Sequence, residues 1–276
     1  MVAGTTRRSS QSRLYKAFAH IVMVVALLCG AGGAYAAPAQ DQGTAPALTP
    51  DCAVPENDIA NPAPLPNLIA KLKHKATVHI LAIGSSSTYG VGASSRIDNY
   101  PNQLRPILAN ALTGIDIEIT NRGVSGEMAD TTADRIMNEV ALARPDLVLW
   151  QLGTNDALAR VPPEEFETTV LETVRWLKSQ GIDVVLVGLQ YVPRFSRDPS
   201  YSAIRKVLRK IAAQENILYV RRYEAMRFIE QMRAKEQIMA ADQFHLNDLG
   251  YRCMAEHVAR AVIINLFSKT LHPAAR

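Results

Sequence analysis

The chain has 276 residues, of which 48% are hydrophobic and 20% charged, with 15 Gly and 15 Pro. This composition is that of an ordinary globular protein and leaves room for one good core or two small ones. The formal net charge of +4 comes from Arg7, Arg8, Arg13 and Lys16, which have no acid among residues 1–36 to balance them; the remainder is neutral, so charge gives no argument for a nucleic-acid partner.

Residues 1–36 read as an export signal. A basic stretch to Lys16 precedes the apolar run 17–36, which ends in the small-residue site Ala34-Tyr35-Ala36. An uncleaved anchor is the alternative, since the run is nearly long enough to span a bilayer. Gly30, Gly32, Gly33 and the Ala-Tyr-Ala site favour cleavage. Any membrane contact is therefore expected only through this segment. Residues 37–66 carry Pro38, Pro46, Pro50, Pro55, Pro62, Pro64 and Pro66 and read as a linker. The run Lys71, Lys73, His74 and Lys75 reads as solvated surface. Cleavage would leave Cys52 and Cys253, which an oxidising compartment would allow to pair; Cys253 as a buried small hydrophobe is the other reading.

From residue 77 apolar, β-branched runs alternate with helical stretches. Strands are expected at 77–83, 115–120, 146–152, 183–189 and 216–220. Helices are expected at 100–112, 128–141, 163–179, 199–214, 223–237 and 247–267. Strands such as Asp183-Val184-Val185-Leu186-Val187-Gly188-Leu189 are apolar on both faces, as a sheet covered on both sides requires. The alternation predicts an α/β fold: a three-layer α/β/α domain, residues 67–276, around a five-stranded parallel sheet. Ligands of such sheets bind at the carboxyl ends of the strands. Three segments follow the first three strands and converge there: Gly84 to Thr88, Asn121 to Gly126, and Gly153 to Asp156.

These segments carry chemistry. Ser86 lies on a strand-to-helix turn. Alone it is an ordinary polar turn or helix cap; with a base nearby it is a candidate nucleophile. Among six histidines, His245 is the one in a loop with a carboxylate, Asp242, three positions upstream. Asp242 can accept the Nδ1 proton and leave Nε2 facing a serine. A surface histidine near a helix start is the plainer reading. Gly126 offers a backbone N–H and Asn155 a side-chain amide, both suited to a developing oxyanion; a strand-exit turn and an Asx-turn are the plainer readings. Arg122, Tyr191 and Arg194 are candidate pocket residues, with surface arginines and an ordinary packed tyrosine as the favoured plainer reading. No cluster has the spacing of a metal site, and no cofactor is expected.

The four segments together resemble the blocks of the SGNH hydrolase superfamily, also called GDSL esterases and lipases, over residues 77–265. Phe244-His245-Leu246-Asn247 and Gly250-Tyr251 add to the likeness. The resemblance implies a flavodoxin-like fold and a Ser86, His245, Asp242 triad. It implies oxyanion donors at Gly126, Asn155 and the Ser86 N–H. The family normally has Asp where this chain has Ser85, so local hydrogen bonding must differ. The expected protein is an exported, periplasmic or extracellular serine esterase acting on a small-molecule or glycan ester, with O-acetyl glycans favoured. Thioesterase, lysophospholipase or acyltransferase chemistry at the same site is the enzymatic alternative. A glycan-binding module with a decayed site is the non-enzymatic one.

Overall fold

Short apolar runs set the sheet, and the polar turns between them set where the helices begin. The computed structural model describes residues 45–233 and 237–267. The expected export signal and residues 37–44 of the expected linker lie outside that range. In chain order the main elements are β1 (Ala60–Asn61), α1 (Pro66–Lys73), β2 (Val78–Gly84), α2 (Ser86–Tyr89), α3 (Tyr100–Ala111), β3 (Ile117–Gly123), α4 (Ala129–Ala143), β4 (Leu147–Gln151), α5 (Thr154–Leu158), α6 (Pro163–Ser179), β5 (Asp183–Val187), α7 (Pro199–Glu215), β6 (Leu218–Val220), α8 (Arg222–Met232) and α9 (Asp248–Phe267).

The sheet order is β1-β6-β5-β4-β2-β3. Strands β2 to β6 pair in parallel, with register Ile80 opposite Leu147 and Val78 opposite Ile117. The chain steps one way from β2 to β3, then back past β2 to β4, β5 and β6. Right-handed crossovers therefore place α3 on one face and α4, α6 and α7 on the other. The helix contacts agree: α3 packs along α9, while α4, α6 and α7 form a row. β4 and β5 are buried at every position, including Trp150, Leu149 and Leu186. Each such side chain contributes roughly 1.5–3 kcal/mol by leaving water.

Two expectations need correction. The sheet has six strands, not five. The extra strand, β1, pairs antiparallel with β6 through Ala60 and Asn61. Its two residues, hemmed by Pro62, carry no apolar run; Pro is tolerated there because the strand is an edge. The second correction concerns residues 45–66, which are not a free linker. Cys52, Ile59, Ala63 and Leu65 are buried, and α1 starts inside the stretch at Pro66. Polar ties replace the missing hydrophobic periodicity. The Glu256 carboxylate accepts from the Thr49 N–H at 2.8 Å, and Asn61 Oδ1 accepts from the Tyr219 N–H at 2.6 Å. His257 Nε2 donates to the Cys52 carbonyl at 2.7 Å.

Cys52 and Cys253 form a disulfide across 201 residues of sequence. In the chain-entropy account a loop that long contributes up to about 5 kcal/mol. The predicted helix 223–237 ends earlier, at Met232. Among the described residues no helix is long and apolar enough to cross a membrane.

Candidate active site

Strand β2 runs straight into the serine turn. Gly84 has φ +146°, and a Cβ there would lie 2.2 Å from the Gln151 carbonyl oxygen, so the sharp exit requires glycine. The carbonyl of Ser85 then accepts from the Thr88 and Tyr89 N–H groups, closing the one-turn helix α2. At the end of β3, a Cβ on Gly123 would strike the Tyr89 N at 2.1 Å; this contact lets β3 press against the back of α2. Ser86 itself is buried at 7% exposure, at the crevice between β2 and β4 where the strand order reverses.

The departure at Ser85 shapes this turn. Ser85 N and Oγ each donate to Gln151 Oε1 at 3.1 Å, and Thr88 Oγ1 donates to the same oxygen at 3.3 Å. A carboxylate at 85 would be acceptor-only and could not make the hydroxyl's bond. Serine at 85 and glutamine at 151 therefore match each other.

The histidine arrives from 159 residues away. Its Nε2 lies 3.2 Å from Ser86 Oγ, and its Nδ1 lies 2.6 Å from Asp242 Oδ2. The other Asp242 oxygen accepts from the Phe244 and His245 N–H groups at 3.0 and 2.9 Å. Burial acts to raise the Asp242 carboxyl, but these hydrogen bonds and the imidazole outweigh it, and the net shift is downward. Asp242 thus stays ionised at neutral pH. A short bridge between Met239 and Leu246, with the Ala240 N–H donating to the His245 carbonyl at 2.8 Å, holds the loop in shape. Loop 90–95 packs against it so closely that a Cβ on Gly92 would lie 2.4 Å from the Leu246 carbonyl oxygen, and it ties to the helix that follows: Tyr251 donates to the Val91 carbonyl at 2.6 Å, and Ser94 Oγ to Asp248 at 2.6 Å.

The remaining two candidate segments are joined. Asn155 Nδ2 donates to the Glu127 carbonyl at 2.8 Å, next to Gly126. An amide nitrogen carries two protons, so one remains for another acceptor. Gly126 sits in an exposed turn with φ +81°. Asp156 stitches the same two segments, accepting from Ala129 N at 2.8 Å and Gly153 N at 3.1 Å. Burial raises its carboxyl, and these backbone donors oppose that shift.

The three candidate pocket residues separate. Arg122 is exposed and pairs with Glu139 at 2.8 Å on α4. Tyr191 is buried, edge-on to Tyr223 at 5.2 Å. Arg194 alone reaches toward the site: its guanidinium lies over Phe195 and Phe244, and the Phe244 ring meets the His245 ring edge-on at 4.8 Å. Sequence reasoning missed Gln151, Gln190 and Arg222. Gln151 ends β4 and Gln190 lies three residues beyond β5, but no motif or spacing in the sequence marks either of them.

The fold has close counterparts among solved structures. A two-domain esterase active on acetylated mannans matches with TM-score 0.68 and 17% identity, over 81% of this chain and 59% of that one. This chain therefore spans a little over half of that protein's length. An acetyl-xylooligosaccharide esterase from Geobacillus matches with TM-score 0.57 and 22% identity, over 68% and 95% of the two chains. Fold and site together define the SGNH hydrolase class, whose members act on ester bonds. Within that class the chain belongs to the non-GDSL lipase-like family, whose model matches residues 51–266. Its sequence is also 26% identical over 179 residues to Esterase TesA of Pseudomonas aeruginosa, covering 64% of this chain and 84% of that protein. An arylesterase of Vibrio mimicus is 23% identical over 192 residues, covering 70% and 92%.

Proposed function

We propose that this ester-hydrolysing enzyme is an exported serine esterase that removes short acyl groups, acetyl foremost, from a glycan or small alcohol. The observation that carries the reading is the relay of Asp242, His245 and Ser86 at 2.6 and 3.2 Å. A serine hydroxyl needs such a base, and the base needs an orienting partner. His245 takes the Ser86 proton as Oγ attacks the ester carbonyl. The oxyanion is held by the Ser86 and Gly126 N–H groups and the Asn155 amide. His245 returns the proton to the departing alcohol, and a water then attacks the acyl-enzyme by the same route.

Several observations support the substrate class. The solved structures with this fold include esterases for acetylated mannans and acetyl-xylooligosaccharides. The Asp242 side chain is 48% exposed, so the histidine side is open to a bulky alcohol. Export rests on the basic and apolar segment 1–36 with its Ala-Tyr-Ala site. The test is a hydrolysis screen of acetylated sugars against aryl esters of increasing chain length, run beside Ser86→Ala. Turnover of acetyl esters that falls with chain length and vanishes in Ser86→Ala is expected. A preference for long acyl chains or thioesters would overturn the substrate class, and turnover that survives in folded Ser86→Ala would overturn the mechanism.

A further inference from the structure

One buried residue touches the sequence neighbours of three candidate site residues, two of them through its side-chain amide and one through its backbone N–H. Gln190 lies three residues beyond β5 and is 1% exposed. Its backbone N–H donates to Thr154 Oγ1 at 3.3 Å, beside Asn155. Its Oε1 accepts from Ser87 Oγ at 3.3 Å, beside Ser86. Its Nε2 donates to the Phe244 carbonyl at 2.9 Å, beside His245. A side-chain amide can turn over, so something must fix which end is oxygen. Arg222 does this. Its Nη2 donates both to Gln190 Oε1 at 3.0 Å and to Ser87 Oγ at 2.9 Å. Arginine has donors only, so the oxygen must face it and the NH2 must face Phe244.

Arg222 is itself unusual. It is 2% exposed, and its Nε and Nη1 make no hydrogen bond. Burial lowers its pKa to about 10, which still leaves it cationic at neutral pH. An under-satisfied buried cation is costly to fold around.

We propose that Gln190 is a positioning residue, locked in orientation by Arg222, that holds the histidine loop in register with the nucleophile turn. This proposal rests on the serine-esterase reading above. Gln190 does not touch the reacting atoms; it sets where His245 Nε2 lies relative to Ser86 Oγ. Misplacement of a catalytic group by about 1 Å can cost on the order of 10²-fold in rate.

The test is Gln190→Glu, assayed beside wild type and Ser86→Ala on an acetyl ester. The variant keeps the size, keeps an oxygen toward Arg222 and adds an ion pair there. It loses the donor to Phe244 and sets oxygen against oxygen. A protein at least as heat-stable as wild type is expected, with kcat down about 10²-fold and KM within roughly threefold. The downfield proton resonance of the Asp242–His245 bond should broaden or move. A purely structural role would not separate kcat from stability in this way. Gln190→Met, which keeps length and loses both polar ends, carries the same kinetic prediction if Gln190→Glu folds poorly. Wild-type kcat in either folded variant overturns the proposal. Turnover that survives in Ser86→Ala overturns the underlying mechanism instead, whatever Gln190 does.

Discussion

The two halves of the proposed catalytic site are built in different ways. The nucleophile half is made of backbone: a strand end, a glycine that no other residue could replace, and a one-turn helix pressed against β3. The histidine half is a loop with Asp242 half open to solvent, held by a single bridge and by side chains reaching in from elsewhere. Ser86 therefore inherits its position from the sheet. His245 is placed by the tie from Gln190 to the Phe244 carbonyl, by close packing against Gly92, and by α9, which begins three residues later and is itself tied to loop 90–95. In the proposed mechanism one accurately placed partner is enough if the other is tied to it.

Substitutions can break that contrast from either side. Short of removing Ser86 or His245 themselves, the largest effect is expected on the nucleophile side from Asn155→Ala. Loss of one oxyanion donor should lower kcat by about 10²–10³-fold. Its bond to the Glu127 carbonyl is a partly buried loop tie, so thermal stability should change little; near-normal kcat in the folded variant would remove Asn155 from the oxyanion site.

On the histidine side the next largest effect belongs to the disulfide. Cys253 sits in α9, one turn into the helix that follows the His245 loop. Cys52→Ser with Cys253→Ser should cost up to about 5 kcal/mol of stability, seen as a large drop in thermal midpoint. Activity per folded molecule should persist at low temperature. A double variant with an unchanged midpoint would show that the clasp contributes nothing to the fold.

The smallest effect is a change of slope with pH. His257 is buried against the Cys52 carbonyl, and burial pushes its pKa below the usual 6.5. The unfolded chain therefore binds this proton more readily than the folded one. Its contribution is complete above about pH 6.5 and is lost as pH falls below that value. His257→Gln keeps a donor for Cys52 and should flatten the acid limb of the midpoint-against-pH curve between pH 7 and 5. Parallel curves for variant and wild type would refute this assignment.

The same contrast explains what the sequence made legible. Four of the parallel strands were readable as apolar runs and β3 by its alternation of Ile117 and Ile119 with Glu118, and the long helices because their periodicity spans several turns. The helices α2 and α5, of four and five residues, are too short to show a period. β1 is invisible because it has two residues between prolines, and its pairing depends on Asn61 meeting β6. In the site, Asp242 and His245 were legible as a local pair, three residues apart on one loop. Their meeting with Ser86 is a tertiary fact that spacing alone does not contain. Gln151 and Gln190 left no trace, because an amide neither titrates nor attacks and its value lies wholly in what it spans.

The central claim is that His245 activates Ser86. The direct measurement is inactivation by a fluorophosphonate, followed by intact mass and peptide mapping across wild type, Ser86→Ala and His245→Ala. The account predicts one adduct per molecule on Ser86, none in Ser86→Ala, and a rate at least about 10³-fold lower in His245→Ala. Labelling on another residue, or at an undiminished rate without the imidazole, would contradict it.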